Sequence, residues 1–143
     1  DGGIKSYSDI LKALALGANY VMAGSTFNKS LESCADTTFC GIKIDQYGWF
    51  ANWLFKNKLP VIKNFRGMST KEVQKKWGRK ELKTSEGITK KQAVEYTITS
   101  WSNNFKDYLC SNMSYCNCKT LSDYIGNPQI IEISNKAYER FHK

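Results

Sequence analysis

Apolar residues recur at three- and four-residue steps in two stretches of the chain, which is the pattern of a helix with one buried face. The first stretch runs from Ser6 to Gly17, where a serine can cap the start and the glycine provides a left-handed stop. The second stretch runs from Gln92 to Cys110. The pattern therefore predicts two long amphipathic helices.

Short apolar runs without helical spacing predict strands. Tyr20–Met22 is such a run, and it leads directly into the small residues Ala23–Ser25. Asp1–Ile4 has the form of another strand end, in which two glycines leave the backbone without side chains. With a helix at 6–17 between them, the two strands predict a β–α–β unit with a parallel pair. Bare backbone at the carboxyl ends of parallel strands is a place where phosphates bind, so these two strand ends are the candidate site.

Weaker patterns predict the remaining elements. Aromatic residues crowd the segment 34–60, which we interpret as an insertion or arm that covers a core edge or a subunit interface. Within it, Ile42 and Ile44 alternate with polar residues and predict a hairpin. The lysine-rich segment 70–91 is interpreted as a mobile flap that begins with a capped basic stretch. The other predicted elements are a turn or short helix at 27–33, a strand at 61–65, a polar turn at 111–117, a short helix at 120–125 and a strand at 129–133.

Size, charge and cysteines limit the functions that remain. The 143 residues suffice for one domain, and no apolar run approaches the ~20 residues of a membrane span. The net charge of +8 suits an anionic partner, but the lysines are scattered, and a solvated surface is the simpler explanation. Five cysteines, an odd number, favour free thiols in a cytosolic protein. The spacing of Cys110, Cys116 and Cys118 fits no standard zinc pattern, so no metal site is expected.

A series of motifs resembles the IMP dehydrogenase and GMP reductase family. In chain order they are Asp1–Ile4, Asp9-Ile10, Lys12-Ala13, Gly17-Ala18, Val21–Ser25, Glu32-Ser33, Phe65–Ser69, Ser85–Gly87, Ser111–Tyr115 and Lys119–Leu121. The resemblance is collinear over nearly the whole chain apart from 34–60. It implies an α/β fold made of the last two strands, the flap and the carboxyl-terminal helices of a (β/α)8 TIM barrel. Since a complete barrel needs roughly 250 residues, and the chain opens on Asp1 rather than Met, we expect the carboxyl-terminal part of one barrel domain.

Within the family, the chain resembles the GMP reductase branch, whose full enzyme converts GMP to IMP and ammonia with NADPH. Gly67–Thr70 and Ser85–Gly87 match that branch, and the flap between them is short. IMP dehydrogenases, which convert IMP to XMP with NAD, carry an Arg-Tyr pair on a longer flap. No Arg-Tyr pair precedes Glu86. The resemblance therefore favours GMP reductase, with IMP dehydrogenase as the alternative.

The resemblance also implies roles for individual residues. A purine nucleotide monophosphate would be held by the two strand ends, the turn after the next strand and the flap, that is, by Asp1, Gly2, Gly3, Gly24, Ser25, Gly67, Met68, Ser69, Ser85 and Gly87. Glu86 would be the catalytic group. A carboxylate on a flap that closes over the site loses its contact with water, which raises its pKa and suits proton transfer. NADPH would contact Lys83 and, from a neighbouring subunit, Ser111, Asn112, Met113 and Ser114.

The family attacks the purine with a loop cysteine followed by a threonine, and no cysteine of this chain has that context. The chain by itself is therefore expected to be inactive and to dock with the preceding part of the barrel, which would also hold a potassium ion. The resemblance further implies a cytoplasmic homotetramer. The alternatives from other classes are a non-catalytic nucleotide-binding subunit and, ranked last, a nucleic-acid-binding module. Neither nucleic acid nor a membrane is expected as a partner.

Overall fold

A computed structural model describes residues 2–67, 70–78 and 89–141 of the protein. The helices and strands are, in chain order, α1 Tyr7–Ala15, β1 Asp36–Phe39, β2 Ile42–Ile44, α2 Trp49–Lys56, β3 Ile62–Arg66, α3 Lys71–Lys76, β4 Thr89–Ala93, α4 Ile98–Tyr115, α5 Leu121–Tyr124 and α6 Asn135–Phe141. A 3₁₀ turn, Phe27–Lys29, precedes β1. The chain divides into a helical unit, Ser6–Met22 with Phe105–Lys143, and a sheet unit, Gly2–Lys5 with Ala23–Asn104. In the described ranges, no helix has the length and apolar character needed to cross a membrane.

The sheet unit is built on four strands in the order β2-β1-β3-β4, and every neighbouring pair is antiparallel. The hairpin that Ile42 and Ile44 predict is confirmed as β1 and β2. Its two-residue turn is Cys40–Gly41, with φ of 48° and 82°. Two consecutive positive φ values match the right-handed twist of the paired strands, which is why this turn connects them directly.

Helix α2 closes the core of the sheet unit. Ala51 and Leu54 are almost completely buried and form one cluster with Leu31 and Val61. The pattern did not predict this helix, because its outer face is also apolar and leaves no contrast between two faces. Trp49, for example, is 79% exposed on that outer face.

A lysine is buried inside the same unit. Lys63 is 0% exposed and lies opposite Thr37 in the register of β1 and β3. Its Nζ donates to the carbonyl oxygen of Ser33 at 2.8 Å and to Thr37 Oγ1 at 2.7 Å. Burial lowers the pKa of Lys63 to about 8, and the nearby Cys34 and Glu32 oppose the shift.

Lys63→Met tests the cost of this buried charge. Between about pH 8 and pH 10.5 the folded lysine is largely neutral while the unfolded lysine keeps its proton. The unfolded state then binds more protons, so the free energy of unfolding rises with pH, by at most about 3 kcal/mol. Urea unfolding of both proteins at about pH 7.5 and about pH 10 should show the unchanged chain gaining stability relative to Lys63→Met. The same difference at both pH values would mean that Lys63 is not dehydrated.

The helical unit begins with the first helix that the pattern predicts. Ser6 and Asp9 form a reciprocal capping box at the start of α1, and Gly17, at φ 101°, follows its end. Gly17 approaches Gly126 so closely that a Cβ on Gly126 would lie 3.4 Å from the Cα of Gly17. The buried Tyr124 adds a hydrogen bond from its hydroxyl to the carbonyl oxygen of Leu11 at 3.2 Å. α5 is thereby attached to α1, and the predicted short helix at 120–125 is confirmed.

The second long helix is confirmed, but its bounds were wrong. Gln92 lies in β4, and the helix α4 begins only at Ile98. The predicted polar turn at 111–117 is wrong up to Tyr115, because α4 continues to that residue. Asn117 then takes φ 54°, and Cys118 N–H donates to the carbonyl oxygen of Met113 at 2.8 Å. This hydrogen bond across a left-handed residue is the Schellman motif at the end of a helix. Asparagine here takes the left-handed conformation that glycine usually adopts at this position.

Three predicted strand regions are not strands among the described residues. The segment 129–133 is irregular and leads into α6. The parallel pair predicted for 1–4 and 20–22 is also wrong for the described residues, and the predicted TIM-barrel portion is not seen: the one sheet is antiparallel. Parallel strands are stable when neighbours cover both faces, whereas Tyr20 is 94% exposed and Met22 67%. The part of the chain that the structure describes is a mixture of helices and one antiparallel sheet.

Candidate functional site

Two side-chain hydroxyls tie the segment Gly2–Ile4 to the turn that begins at Gly24. Ser25 Oγ donates to the carbonyl oxygen of Ile4 at 3.3 Å, and Thr26 Oγ1 donates to the same oxygen at 3.2 Å. All of these residues belong to the sheet unit. The two segments that the sequence analysis places at the candidate site are therefore neighbours, although they form no strand pair.

The backbone of both segments faces open space. Gly2 and Gly3 have φ of 82° and 73°, and a Cβ added to Gly2, Gly3 or Gly24 would meet no atom within 4 Å. Both φ values lie in the left-handed region that favours glycine. The absence of side chains at these positions leaves a cradle that is open to a phosphate group.

The turn after Gly24 is held firmly by the chain that follows β4. The hydroxyl of Tyr96 donates to the carbonyl oxygen of Thr26. The carbonyl oxygen of Lys29 accepts a hydrogen bond from Glu95 N at 2.9 Å, and the two side chains form an ion pair at 2.7 Å. A site built on a fixed turn loses little conformational freedom when it binds a ligand.

The hydroxyl of Ser25 has one proton, and in the free chain it donates that proton in a hydrogen bond to the carbonyl oxygen of Ile4. The bond is long for a hydroxyl donor, at 3.3 Å. An anion at the cradle offers a stronger acceptor, because hydrogen bonds to charged oxygens are shorter and stronger than bonds to neutral carbonyls. Ser25 can therefore exchange Ile4 for a phosphate oxygen, while Thr26 keeps the two segments together.

The predicted site residue Gly67 is placed elsewhere in the sheet unit. Its carbonyl oxygen accepts a hydrogen bond from Thr70 N at 3.1 Å, just before α3. Gly67 follows the end of β3 that pairs with Thr89, whereas Glu95, which contacts the turn, lies beyond the opposite end of β4. The length of β3, roughly 13 Å at the usual rise per residue, separates the two regions. That Gly67 shares a hollow with Gly24 stays a prediction.

Residues 79–88 of the predicted flap 70–91 lie outside the described residues, and so do three site residues that precede the flap. The site residues concerned are Asp1, Met68, Ser69, Lys83, Ser85, Glu86 and Gly87. Their roles stay predictions, and the proton-transfer role of Glu86 is among them. The flanking parts of the segment 70–91 are the helix α3 and the beginning of β4.

The predicted cofactor residues Ser111, Asn112, Met113 and Ser114 lie on α4 within the helical unit. They do not share one face of the helix. Asn112 lines a cavity of about 780 Å³, together with apolar side chains of α1 and of the segment 128–138. Met113 and Ser114 line a separate hollow of about 370 Å³. That these four residues contact a nicotinamide cofactor stays a prediction.

The cysteines provide no metal centre among the described residues. All five are free thiols, and the described ranges contain no group of three or more His, Cys, Asp or Glu side chains suited to a metal ion. Burial raises the pKa of the Cys118 thiol, with Cys116 and Asp123 adding to the effect. A raised pKa keeps Cys118 protonated at neutral pH, so it is a poor nucleophile.

Sequence reasoning missed three contributors to the candidate site. Thr26 stands next to Ser25 and carries a hydroxyl, which was an available signal. Ile4 contributes only its carbonyl oxygen, and Tyr96 is 70 residues from the carbonyl that it binds. No pattern along the chain could have indicated those two contacts.

Comparisons with known proteins agree with the motifs. The family described as "IMP dehydrogenase / GMP reductase domain" matches residues 1–143. The chain is 26% identical over 142 residues to an "Inosine-5'-monophosphate dehydrogenase" of Borreliella burgdorferi, which covers 99% of this chain and 33% of that protein. It is 27% identical over 143 residues to proteins of the same name from Chlorobaculum tepidum and Chlorobaculum parvum, covering 99% of this chain and 28% of each of those proteins. The chain thus spans about a third of the length of the curated relatives that it matches.

Proposed function

Because this chain belongs to the IMP dehydrogenase / GMP reductase family, we propose that it supplies the phosphate- and ribose-binding part of a purine nucleotide oxidoreductase. The observation that carries this proposal is the pair of hydrogen bonds from Ser25 and Thr26 to the carbonyl oxygen of Ile4. They hold two glycine-bearing segments side by side with their backbone open. These segments are the ones to which the family resemblance assigns the phosphate and ribose.

Each part of the cradle has a chemical task in this proposal. The N–H groups around Gly2, Gly3 and Gly24 bind the phosphate oxygens, and no side chain stands between backbone and ligand. Ser25 adds a hydroxyl donor, and the carboxylate of Asp1 accepts hydrogen bonds from the ribose hydroxyls. Phosphate binding contributes to the reaction by positioning, since a fixed nucleotide presents its purine ring in one orientation.

The finer assignment that we propose is GMP reductase, which releases ammonia from GMP. The short distance along the chain from Gly67 to Ser85–Gly87 favours this branch. Glu86 then exchanges a proton with the purine. NADPH supplies a hydride to the purine when it is bound. The cysteine nucleophile and a potassium ion would come from the remaining part of the barrel, in a cytoplasmic homotetramer.

IMP dehydrogenase is the second candidate, with NAD as the cofactor. The relatives named above carry that name, at 26–27% identity. The products separate the two candidates when the chain is assayed together with the complementary part of the barrel. Ammonia from GMP and NADPH supports the reductase, and XMP from IMP and NAD supports the dehydrogenase.

Binding by the chain as it stands tests the common part of both candidates. In ¹⁵N-labelled protein, GMP, IMP and inorganic phosphate should shift the backbone amides of Gly2, Gly3, Gly24 and Ser25, whereas guanosine should not. Ser25→Ala should weaken GMP binding about tenfold, because one hydrogen bond to a charged oxygen is lost. Ser102→Ala, an exposed serine of α4, is the matched control and should bind like the unchanged chain. Equal shifts with guanosine and GMP, or shifts confined to other residues, would refute a phosphate site here.

A further inference from the structure

One buried amide next to the cradle has no hydrogen-bond partner. Asn28 is 9% exposed, and its Nδ2 is a buried side-chain donor that lacks an acceptor among the described residues. Buried polar groups are nearly always paired, since an unpaired one loses its hydrogen bonds to water without replacement. An unpaired donor at a fixed position in a chain therefore indicates that its acceptor is something other than the described residues.

The position of Asn28 follows from the turn that carries it. Three backbone hydrogen bonds along it join residues three positions apart: Phe27 N donates to Gly24 O at 3.1 Å, Lys29 N to Thr26 O at 3.4 Å and Ser30 N to Phe27 O at 3.1 Å. In such a 3₁₀ turn, side chains three residues apart lie on the same side. Asn28 is therefore on the side of Ser25, whose hydroxyl donates to the carbonyl oxygen of Ile4.

The neighbouring polar side chains are satisfied within the turn. Ser30 is 0% exposed, and its hydroxyl donates to the carbonyl oxygen of Phe27 at 2.9 Å. Thr26 donates to Ile4. Because these acceptors are already engaged, and because Tyr96 and Glu95 fix the turn, the backbone has little freedom to move toward Asn28. Among the described residues of this turn, Asn28 Nδ2 is the one buried side-chain donor without an acceptor.

We infer that Asn28 is a phosphate-binding residue whose Nδ2 donates to an oxygen of the phosphate monoester held at Gly24 and Ser25. This inference rests on the proposed function and adds a residue to the same site. A phosphate oxygen is the acceptor that the turn lacks, and a bond from an amide to a charged oxygen is stronger than one between neutral groups. Because Nδ2 is buried in the free chain, this bond requires a rotation about the broad terminal torsion of asparagine that turns the NH₂ group toward the anion.

The test uses the 143-residue chain, with inorganic phosphate and GMP as probes. In the unchanged protein, saturation with phosphate should move the side-chain NH₂ resonances of Asn28, which are identified by their loss in Asn28→Ser. Asn28→Leu keeps nearly the same volume without a donor, and Asn28→Ala removes the whole amide. Both should bind phosphate and GMP about tenfold more weakly. The melting temperature of Asn28→Leu should stay equal to that of the unchanged chain or rise, because no hydrogen bond of the free chain is lost, whereas Asn28→Ala leaves a small void and should melt at a slightly lower temperature. Asn103→Ala, an exposed asparagine of α4, should change neither quantity.

Different results would overturn this inference and the proposed function. If the unchanged chain shows the cradle shifts with phosphate but the Asn28 NH₂ resonances do not move, Asn28 is not a ligand, and the proposed function stands. If Asn28→Leu folds and binds phosphate as tightly as the unchanged chain, the inference is also wrong. If phosphate leaves the amides of Gly24 and Ser25 unmoved in the unchanged protein, the proposed function itself fails. The NH₂ resonances can also be assigned in the unchanged protein through their connection to the Asn28 backbone, so a poorly folding Asn28 variant does not block the test.

Discussion

Leu54→Ala is expected to lower the free energy of unfolding of the sheet unit by about 2–5 kcal/mol. Leu54 is 1% exposed and packs with Leu31, Ala51 and Val61 in the core cluster of that unit. Truncation removes buried apolar surface and leaves a cavity that α2 cannot fill, because the strands hold its partners in place. Urea unfolding followed by circular dichroism measures the change.

The matched control is a larger truncation one residue earlier. Trp53→Ala removes a whole indole, but the side chain is 49% exposed and its described ring partner, Phe50, is at the surface as well. We expect a cost of about 1 kcal/mol or less, as for a surface contact. If Trp53→Ala destabilises the chain more than Leu54→Ala, the described orientation of α2 is wrong.

Gly24→Val is expected to abolish binding of phosphate and GMP while the chain stays folded. Gly24 has an ordinary backbone conformation, and a Cβ there meets no atom within 4 Å, so the free chain accommodates a side chain. The same side chain fills the space in which the phosphate must approach the backbone. The amide shifts of the cradle residues on addition of GMP, together with the melting temperature, measure both effects.

Two outcomes contradict this prediction about Gly24. If Gly24→Val binds GMP with unchanged affinity, the phosphate lies elsewhere and the cradle is not the site. If the variant unfolds, the open space next to Gly24 is not present in solution. Ser25→Ala provides the graded comparison, because it removes one donor and leaves the space open.

Local chemistry made part of the fold predictable. α1 follows from a capping serine, an acidic residue three positions later, an apolar stripe and a stop at Gly17. The β1–β2 hairpin follows from the alternation at Ile42 and Ile44. In each case the information lies within a few neighbouring residues, and the structure agrees.

Other elements depended on partners that are distant in the chain. Tyr20–Met22 is apolar and free of helical spacing, yet it forms no strand, because a strand requires neighbours that the described residues do not provide at that place. α2 was missed because both of its faces are apolar, and only contact with Leu31 and Val61 decides which face is buried. Residues 92–94 continued a helical pattern, but pairing with β3 kept Gln92 in a strand.

The sequence by itself determined the family, the two glycine-bearing segments and the serine at the centre of the candidate site, because motifs and turn residues act over short distances. Only the tertiary structure showed that Ile4 is the common acceptor of Ser25 and Thr26, that Tyr96 fixes the turn, and that Asn28 has an amide without a described partner. These facts depend on which groups meet after folding. A hydrogen bond between residues 70 positions apart has no signature in the order of the amino acids.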